Sequence, residues 1–213
     1  MADGGCVQER MKRLVAAAFV TQKNEGLADE NLMVELSMDE LREITGYAVA
    51  CAEPALAIFE RDFSDDPRAR VVLDEARRFA AGGNRTKALR VTALAALGAA
   101  RTARAMEREA AADAARAAGH AGGSAYLHPL AKATQVKHIL ASAAYAARAI
   151  ELDAGGNPDV GADYIEKAGR LAGPIVVSVL TRYPNAPGGG GRVGELLRSL
   201  DASLRMLRRQ RPI

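Results

Sequence analysis

Tryptophan is absent from this 213-residue chain, and aromatic residues make up only 4% of it. A thick aromatic core, or a sheet of alternating Val, Ile, Tyr and Phe, is therefore not expected, because no long stretch has that composition. Yet 49% of the residues are hydrophobic, and much of that fraction is Ala. Since Ala is the best helix former and a poor strand former, the composition favours close-packed helices with small residues at their contacts.

The chain has only two cysteines and a small net charge. Cys6 and Cys51 lie far apart, so we expect two free thiols, with Cys51 buried, and no disulfide framework. The formal net charge of +3 at pH 7 is too small to indicate nucleic-acid binding by itself. No apolar run is long enough to span a bilayer, and residues 1–5 lack the basic start of a signal peptide. We therefore expect a cytoplasmic protein with no membrane partner.

Apolar residues at helical spacing predict an all-α fold, a single compact bundle of about eight helices, several of them rich in Ala. The first predicted helix covers Val7–Asn24, within an N-terminal helix-and-linker segment, residues 1–36. We expect residues 37–210 to form the helical domain and to pack with this segment as one unit. No composition shift separates two cores, so a single domain is expected.

Local signals place the first helix boundaries of this domain. Ser37 and Glu40 have capping-box spacing, which predicts a helix start. Pro54 removes a backbone donor and predicts a kink or break near Ala52 in the same helix. Further along, two Ala-rich helices are predicted, but the break between them is poorly signalled, and one long helix through Met106 is the alternative.

Proline and glycine mark several later boundaries. An Asp cap followed by proline at Asp66-Pro67 predicts a helix start, and Pro129 predicts another. A helix is expected over Gly161–Tyr183, bent or interrupted at Gly173.

The last predicted helix has the cleanest apolar stripe, of Val193, Leu196, Leu197, Leu200, Leu204 and Leu207. The stripe could pack into the core or serve a homodimer. A basic run follows, consisting of Arg205, Arg208, Arg209 and Arg211. Cations here could contact phosphates or complement the helix dipole. We favour the dipole and do not expect nucleic acid as a partner, because no aromatic residues interleave the run.

Histidines are the main candidates for binding chemistry. His120, His128 and His138 are separated by eight and ten residues, unlike zinc ligands three or four apart on one helix. We therefore expect no metal, and interpret them as closing or packing helix ends. His128, Lys132 and Gln135 fall at i, i+4 and i+7, so we expect them to share a helical face. That face could recognise an anionic partner, shape a pocket or simply be solvated. No catalytic set and no phosphate loop is recognisable, so no cofactor is expected.

Several segments resemble bacterial immunity proteins of polymorphic toxin systems, of the immunity-protein-5-like kind. The resemblance covers roughly residues 37–205. The segments that carry the resemblance are Cys51-Ala52-Glu53, Phe59-Glu60, Asp66-Pro67-Arg68-Ala69-Arg70, the Ala-rich helix ending at Arg101, Ala117-Ala118-Gly119-His120, Leu127–Leu140, Tyr183-Pro184 and Arg192–Leu197. The third departs from the family's Arg-Pro-Arg order, because Pro67 precedes Arg68 and Ala69 stands where the family often has proline. In the Ala-rich helix the family has a histidine where this chain has Leu97 and Gly98, so no histidine role transfers there. These segments add Arg68, Arg70 and Arg101 to the candidate binding residues.

The resemblance implies an all-helical domain that binds and neutralises a cognate toxin protein without catalysis of its own. Two alternatives stay open. One is a helical ligand- or metal-binding protein, or enzyme, that uses the histidine region. The other is a DNA-associated accessory protein, because some similar sequences are labelled as an SbcC-type exonuclease subunit. The sequence argues against that label, since it has no Walker motif and no heptad repeat.

Overall fold

A computed structural model describes residues 32–210 of the protein, apart from the side chains of the last two of these residues. Within this range the chain forms α-helices, one 3-10 turn at Ala133–Gln135 and a single isolated bridge between Met33 and Leu130. The helices are α1 (Met38–Asp62), α2 (Arg68–Ala80), α3 (Lys87–Ala105), α4 (Glu109–Ser124), α5 (Val136–Asp153), α6 (Pro158–Leu171), α7 (Pro174–Leu180) and α8 (Gly191–Gln210). The predicted all-α bundle is confirmed. The predicted helix Val7–Asn24 and Cys6 lie outside the described residues.

Helix α1 begins where the capping-box spacing predicts. Ser37 Oγ accepts from the amide of Glu40 at 3.1 Å, and the Glu40 carboxylate accepts from the amide of Ser37 at 2.8 Å. The predicted break near Ala52 is wrong, because α1 continues through Pro54 without interruption. Pro54 and Ala50 both lie on the exposed side of α1. Proline has no amide hydrogen to donate to the carbonyl of Ala50. Because this carbonyl lies on the exposed side, water can replace the missing donor and the helix continues.

Helices α4 and α5 form the centre of the bundle. Helix α4 packs against α1, α2, α3 and α5, and most of its residues are buried. Because nearly all of them are Ala or Gly, the neighbouring backbones approach closely. At Gly122, a Cβ atom would overlap Val72 Cγ2 and lie 3.1 Å from the Ala93 Cβ. Glycine at this position therefore lets α2, α3 and α4 meet.

Helices α3 and α4 are separate, which confirms the predicted pair of Ala-rich helices and excludes one long helix through Met106. Glu107 adopts a φ of 59° in the intervening turn, a left-handed conformation that ends the first helix. The predicted interruption at Gly173 is also confirmed, since α6 ends at Leu171 and α7 starts at Pro174.

Two predicted boundaries need correction. Pro129 does not start a helix; its carbonyl accepts from the amide of Val34 at 2.7 Å, and α5 begins only after the 3-10 turn. This pairing with a segment distant in sequence overrides the local preference of proline for a first helical turn. Helix α6 begins at Pro158, three residues before the predicted Gly161, because Asn157 caps it.

A buried carboxylate joins α5, α6 and α8. Glu151 of α5 is 2% exposed and forms salt bridges with Arg192 of α8, at 3.0 Å, and with Arg148 in its own helix. Gly161 of α6 leaves room for this group, because a Cβ atom there would overlap Glu151 Oε2 and lie 3.1 Å from Glu151 Cδ. The absence of a side chain at Gly161 therefore makes room for the carboxylate of Glu151. No described helix combines the length and the apolar character needed to cross a bilayer.

Candidate binding surfaces

The antiparallel packing of α4 and α5 brings His120 and His138 to the same end of this helix pair. The ring of His120 stacks on that of Tyr145, with the centroids 5.0 Å apart and the planes at 7°. The guanidinium of Arg116 lies 5.6 Å from the centroid of the same tyrosine ring and pairs with the carboxylate of Asp113 at 3.0 Å. The sequence could not show this cluster, because its members come from two helices.

The surroundings of His120 favour the neutral imidazole. Burial lowers the pKa of His120 to about 4, and the charges of His138, Arg116 and Lys137 act in the same direction. Burial also raises the pKa of Asp113, against the opposing effect of Arg116. At neutral pH, His120 is therefore an uncharged aromatic group that packs on Tyr145, and it offers no positive charge to an anionic partner.

The other two histidines hold the ends of local structure. His138 Nδ1 lies 3.0 Å from the carbonyl oxygen of Gly123, and it donates this bond because a carbonyl can only accept. His128 Nδ1 accepts from the amide of Leu130 at 3.1 Å. The first bond closes the C-terminal end of α4 and the second shapes the loop before α5.

The predicted helical face of His128, Lys132 and Gln135 does not exist. The segment before the 3-10 turn is not helical, because Pro129 and Ala131 instead pair with residues near 32–34. Gln135 is nevertheless brought to His128, whose amide donates to its side-chain oxygen at 3.0 Å. Lys132 is exposed. Within the described residues, no group of three or more His, Cys, Asp or Glu side chains is placed to hold a metal ion.

Two of the three candidate arginines converge on α3. A Cβ atom at Gly98 would lie 3.4 Å from Arg68 Nη1 and 3.7 Å from Arg101 Nη2, so both guanidinium groups flank this glycine. Arg68 is held there by Asp66, whose carboxylate accepts from its Nε at 2.8 Å and its Nη2 at 2.5 Å. These bonds lower the pKa of Asp66. Arg101 forms no salt bridge with any described residue.

The third candidate, Arg70, faces another element. It pairs with Glu60 of α1 at 2.5 Å and so fastens α2 to α1. Asp66 has the structural role that its position before a helix predicts, because its side chain also accepts from the amide of Arg68 at 3.1 Å. Arg70 therefore forms an ion pair between α2 and α1, whereas Arg68 and Arg101 lie together on another surface.

The described arginines of the C-terminal basic run both bond other parts of the fold, Arg205 from a partly buried position and Arg208 from an exposed one. Arg205 pairs with the buried carboxylate of Asp201 at 2.8 Å, and Arg208 bonds the side chain of Thr181. Arg205 also donates to three carbonyls at and beyond the end of α7, those of Leu180, Tyr183 and Pro184. These cations therefore complement the end of a neighbouring helix rather than that of α8 itself. The apolar stripe of α8 is likewise buried in the core through Leu204.

The outer face of α3, near the candidate arginines, is an exposed surface that the sequence patterns above do not predict. Val91 is 53% exposed and Leu94 is 61% exposed, the highest value among the large hydrophobic residues that the structure describes. Lys87, Arg90 and Arg101 are also exposed. The five residues recur at spacings of three, four and seven, which places them on one stripe. The sequence does contain a signal for this face, because Val91 and Leu94 lie at helical spacing outside the stripe of buried alanines.

The fold defines a class of protein, a helical bundle packed mainly through Ala. Its described buried carboxylates are held in internal ion pairs, and the candidate binding arginines and the exposed residues of α3 lie on its surface. Comparison with protein families identifies which one. The family described as "Imm-5 like putative immunity protein" matches residues 35–172, more than half of the chain, and the chain belongs to that family. No curated protein and no solved structure matches the chain.

Proposed function

We propose that this protein binds a cognate bacterial toxin and neutralises it by contact, without catalysing a reaction. Membership of the immunity family over residues 35–172 is the observation that carries this proposal. The matched range covers α1 to α6, which include the two central helices and the exposed helix α3. The family relation thus concerns the body of the domain and not a peripheral segment.

The packing supports a role in binding. Ala-rich helices in close contact leave few side chains free to rearrange, so the outer residues are held in fixed relative positions. A preorganised surface loses less conformational entropy on association, and tight inhibition by contact depends on this. Ion pairs across helix contacts, such as Arg70 with Glu60 and Arg77 with Glu53, fix α2 on α1 in the same way.

Chemical roles have less support from the geometry. The carboxylates of Glu151 and Asp201 are buried and paired with arginines, so they are committed to the fold. Cys51 is a buried free thiol, and burial raises its pKa to about 12, which disfavours the nucleophilic thiolate. We infer that activity resides in surface recognition.

The test is to search the genes that flank this one for a toxin domain and to co-express that domain with this protein. Host cells that express the toxin domain with an empty vector should stop growing, and cells that also express this protein should grow. The purified proteins should form a stoichiometric complex on size-exclusion chromatography, with a Kd of about 10 nM or tighter. A catalytically inactive toxin variant serves as the binding partner for these measurements. Equal killing with and without this protein, together with no complex, would refute the proposal.

A further inference from the structure

Helix α3 is covered on one side only. Among the described helices it packs against α2 and α4. Its inner face is buried, and consists of Leu89, Ala93, Ala96, Ala99, Ala100 and Ala103. No other described helix packs on the opposite side of this helix, which has 19 residues and a length of about 28 Å at 1.5 Å per residue. We call the stripe of Lys87, Arg90, Val91, Leu94 and Arg101 the α3 face.

Apolar and cationic side chains divide the α3 face between them. Val91 and Leu94 lie in the middle part of the stripe, Lys87 and Arg90 lie towards its N-terminal end, and Arg101 lies towards its C-terminal end. An apolar centre with a charged rim is the usual anatomy of a protein–protein interface. A partner that covers Val91 and Leu94 would remove their exposed apolar area from water, which favours association at this face.

The charge of the α3 face has one sign. Helix α3 contains no acidic residue. Two acidic residues that adjoin the ends of neighbouring helices are already paired, Asp66 with Arg68 and Glu109 with Arg104. Lys87, Arg90 and Arg101 form no salt bridge among the described residues. This part of the surface is therefore positive, although the whole chain has a net charge of only +3.

One of these cations is held in place before any partner arrives. The guanidinium of Arg90 lies 4.5 Å from the centroid of the Tyr126 ring, and Arg85 lies over the same ring at 5.5 Å. The Tyr126 hydroxyl is itself fixed, because it donates to the carbonyl of Thr86 at 2.8 Å. A stacked guanidinium loses less rotamer freedom on binding than a free one, which favours its use in recognition.

We propose that the α3 face is the surface that binds the toxin, and that the toxin presents an apolar patch flanked by carboxylates to it. This inference rests on the proposed function. A second copy of the same chain fits poorly, because either orientation of two α3 faces brings cationic groups together with no acid between them. An acidic partner satisfies both the charge and the apolar centre.

The experiment compares matched charge changes in the full chain. Leu94→Glu and Arg101→Glu alter the α3 face. Met206→Glu on α8 is the control for the first, because Met206 is 59% exposed. Arg170→Glu on α6 is the control for the second, because its side chain is 70% exposed. Affinity for the inactive toxin domain is measured by calorimetry, and the oligomeric state of each variant by analytical ultracentrifugation.

Leu94→Glu and Arg101→Glu should each weaken the Kd at least about tenfold, while both controls change it less than about threefold. The melting temperatures should stay within about 2 °C of the parent, since the altered side chains are exposed. Association of the parent protein should slow by about tenfold between about 50 mM and about 500 mM NaCl, because salt screens attraction to an acidic partner.

Each other outcome overturns the inference. Parent protein that binds the toxin equally well after both α3 changes would place the interface elsewhere and leave the proposed function intact. Failure of the parent to bind would remove both. A dimer that Leu94→Glu dissociates would assign the face to a second copy. A large fall in melting temperature caused by Leu94→Glu, absent with Met206→Glu, would show that the chain itself covers Leu94.

Discussion

Replacing Gly161 with alanine tests whether the buried carboxylate of Glu151 needs the space that the glycine leaves. Gly161 lies in α6 against Glu151 of α5, whose carboxylate is paired with Arg192 and Arg148. An added Cβ would overlap Glu151 Oε2 and lie 3.1 Å from Cδ and 3.3 Å from Cβ of the same residue. The carboxylate would have to leave its place between the arginines.

Two opposing effects set the magnitude. Alanine in place of glycine stabilises a helix interior by about 1 kcal/mol. Disrupting a buried ion pair costs about 3–5 kcal/mol, and the lower end applies because the side chains of Arg192 and Arg148 are 32% and 27% exposed. The net effect of Gly161→Ala should be a loss of about 2 kcal/mol. For a domain of this size the melting temperature should fall by about 4–8 °C.

Urea and thermal unfolding followed by circular dichroism at the helical band measure this loss. Gly169→Ala is the matched control, because it lies in the same helix and its Cβ would contact Leu200 Cδ1 at an ordinary 3.8 Å. That change should stabilise by up to about 1 kcal/mol. In a Glu151→Ala background, Gly161→Ala should stabilise as well. If both glycine changes shift stability in the same direction in the parent, the proposed coupling between Gly161 and Glu151 is refuted.

Three further changes probe the electrostatics and the helix interior. Burial lowers the pKa of His120 from 6.5 to about 4, so the protein should lose stability as the pH falls from 6.5 towards 4, where the unfolded state binds a proton that the folded state does not. His120→Gln should remove this part of the pH dependence, which amounts to no more than about 3 kcal/mol in the free energy of unfolding measured at several pH values. Arg205→Met should cost about 3 kcal/mol in urea unfolding, because it leaves the Asp201 carboxylate buried without its cation, whereas the exposed Arg208→Met should cost less than about 1 kcal/mol. Pro54→Ala should raise the stability by about 1–3 kcal/mol, since it restores a helical donor at an exposed position.

These three expectations fail in different ways. Identical pH profiles for the parent and His120→Gln would show that the imidazole has an ordinary pKa in the folded state. A cost of Arg205→Met as small as that of Arg208→Met would mean that the Asp201 carboxylate does not depend on the cation of Arg205. No gain from Pro54→Ala would indicate that α1 is already fully adapted to the proline.

Sequence alone determined the class of the fold and many helix ends. Its Ala content and the period of its apolar residues are local properties, and they predict helices whatever the partners are. Caps act over one turn, so Ser37 with Glu40 and Asp66 before α2 could be read directly from the chain. The segments that suggested an immunity protein were sufficient to anticipate the family.

Only the tertiary structure decided which side chains meet and which remain exposed. Pro129 pairs with Val34 instead of starting a helix, and Arg205 serves the end of α7 rather than of its own helix. Both arise from contacts between segments far apart in sequence, and local spacing has no information about these. The same holds for Leu94, because a leucine at helical spacing is buried or exposed according to whether a neighbouring helix covers it, and none of the described helices covers the outer side of α3.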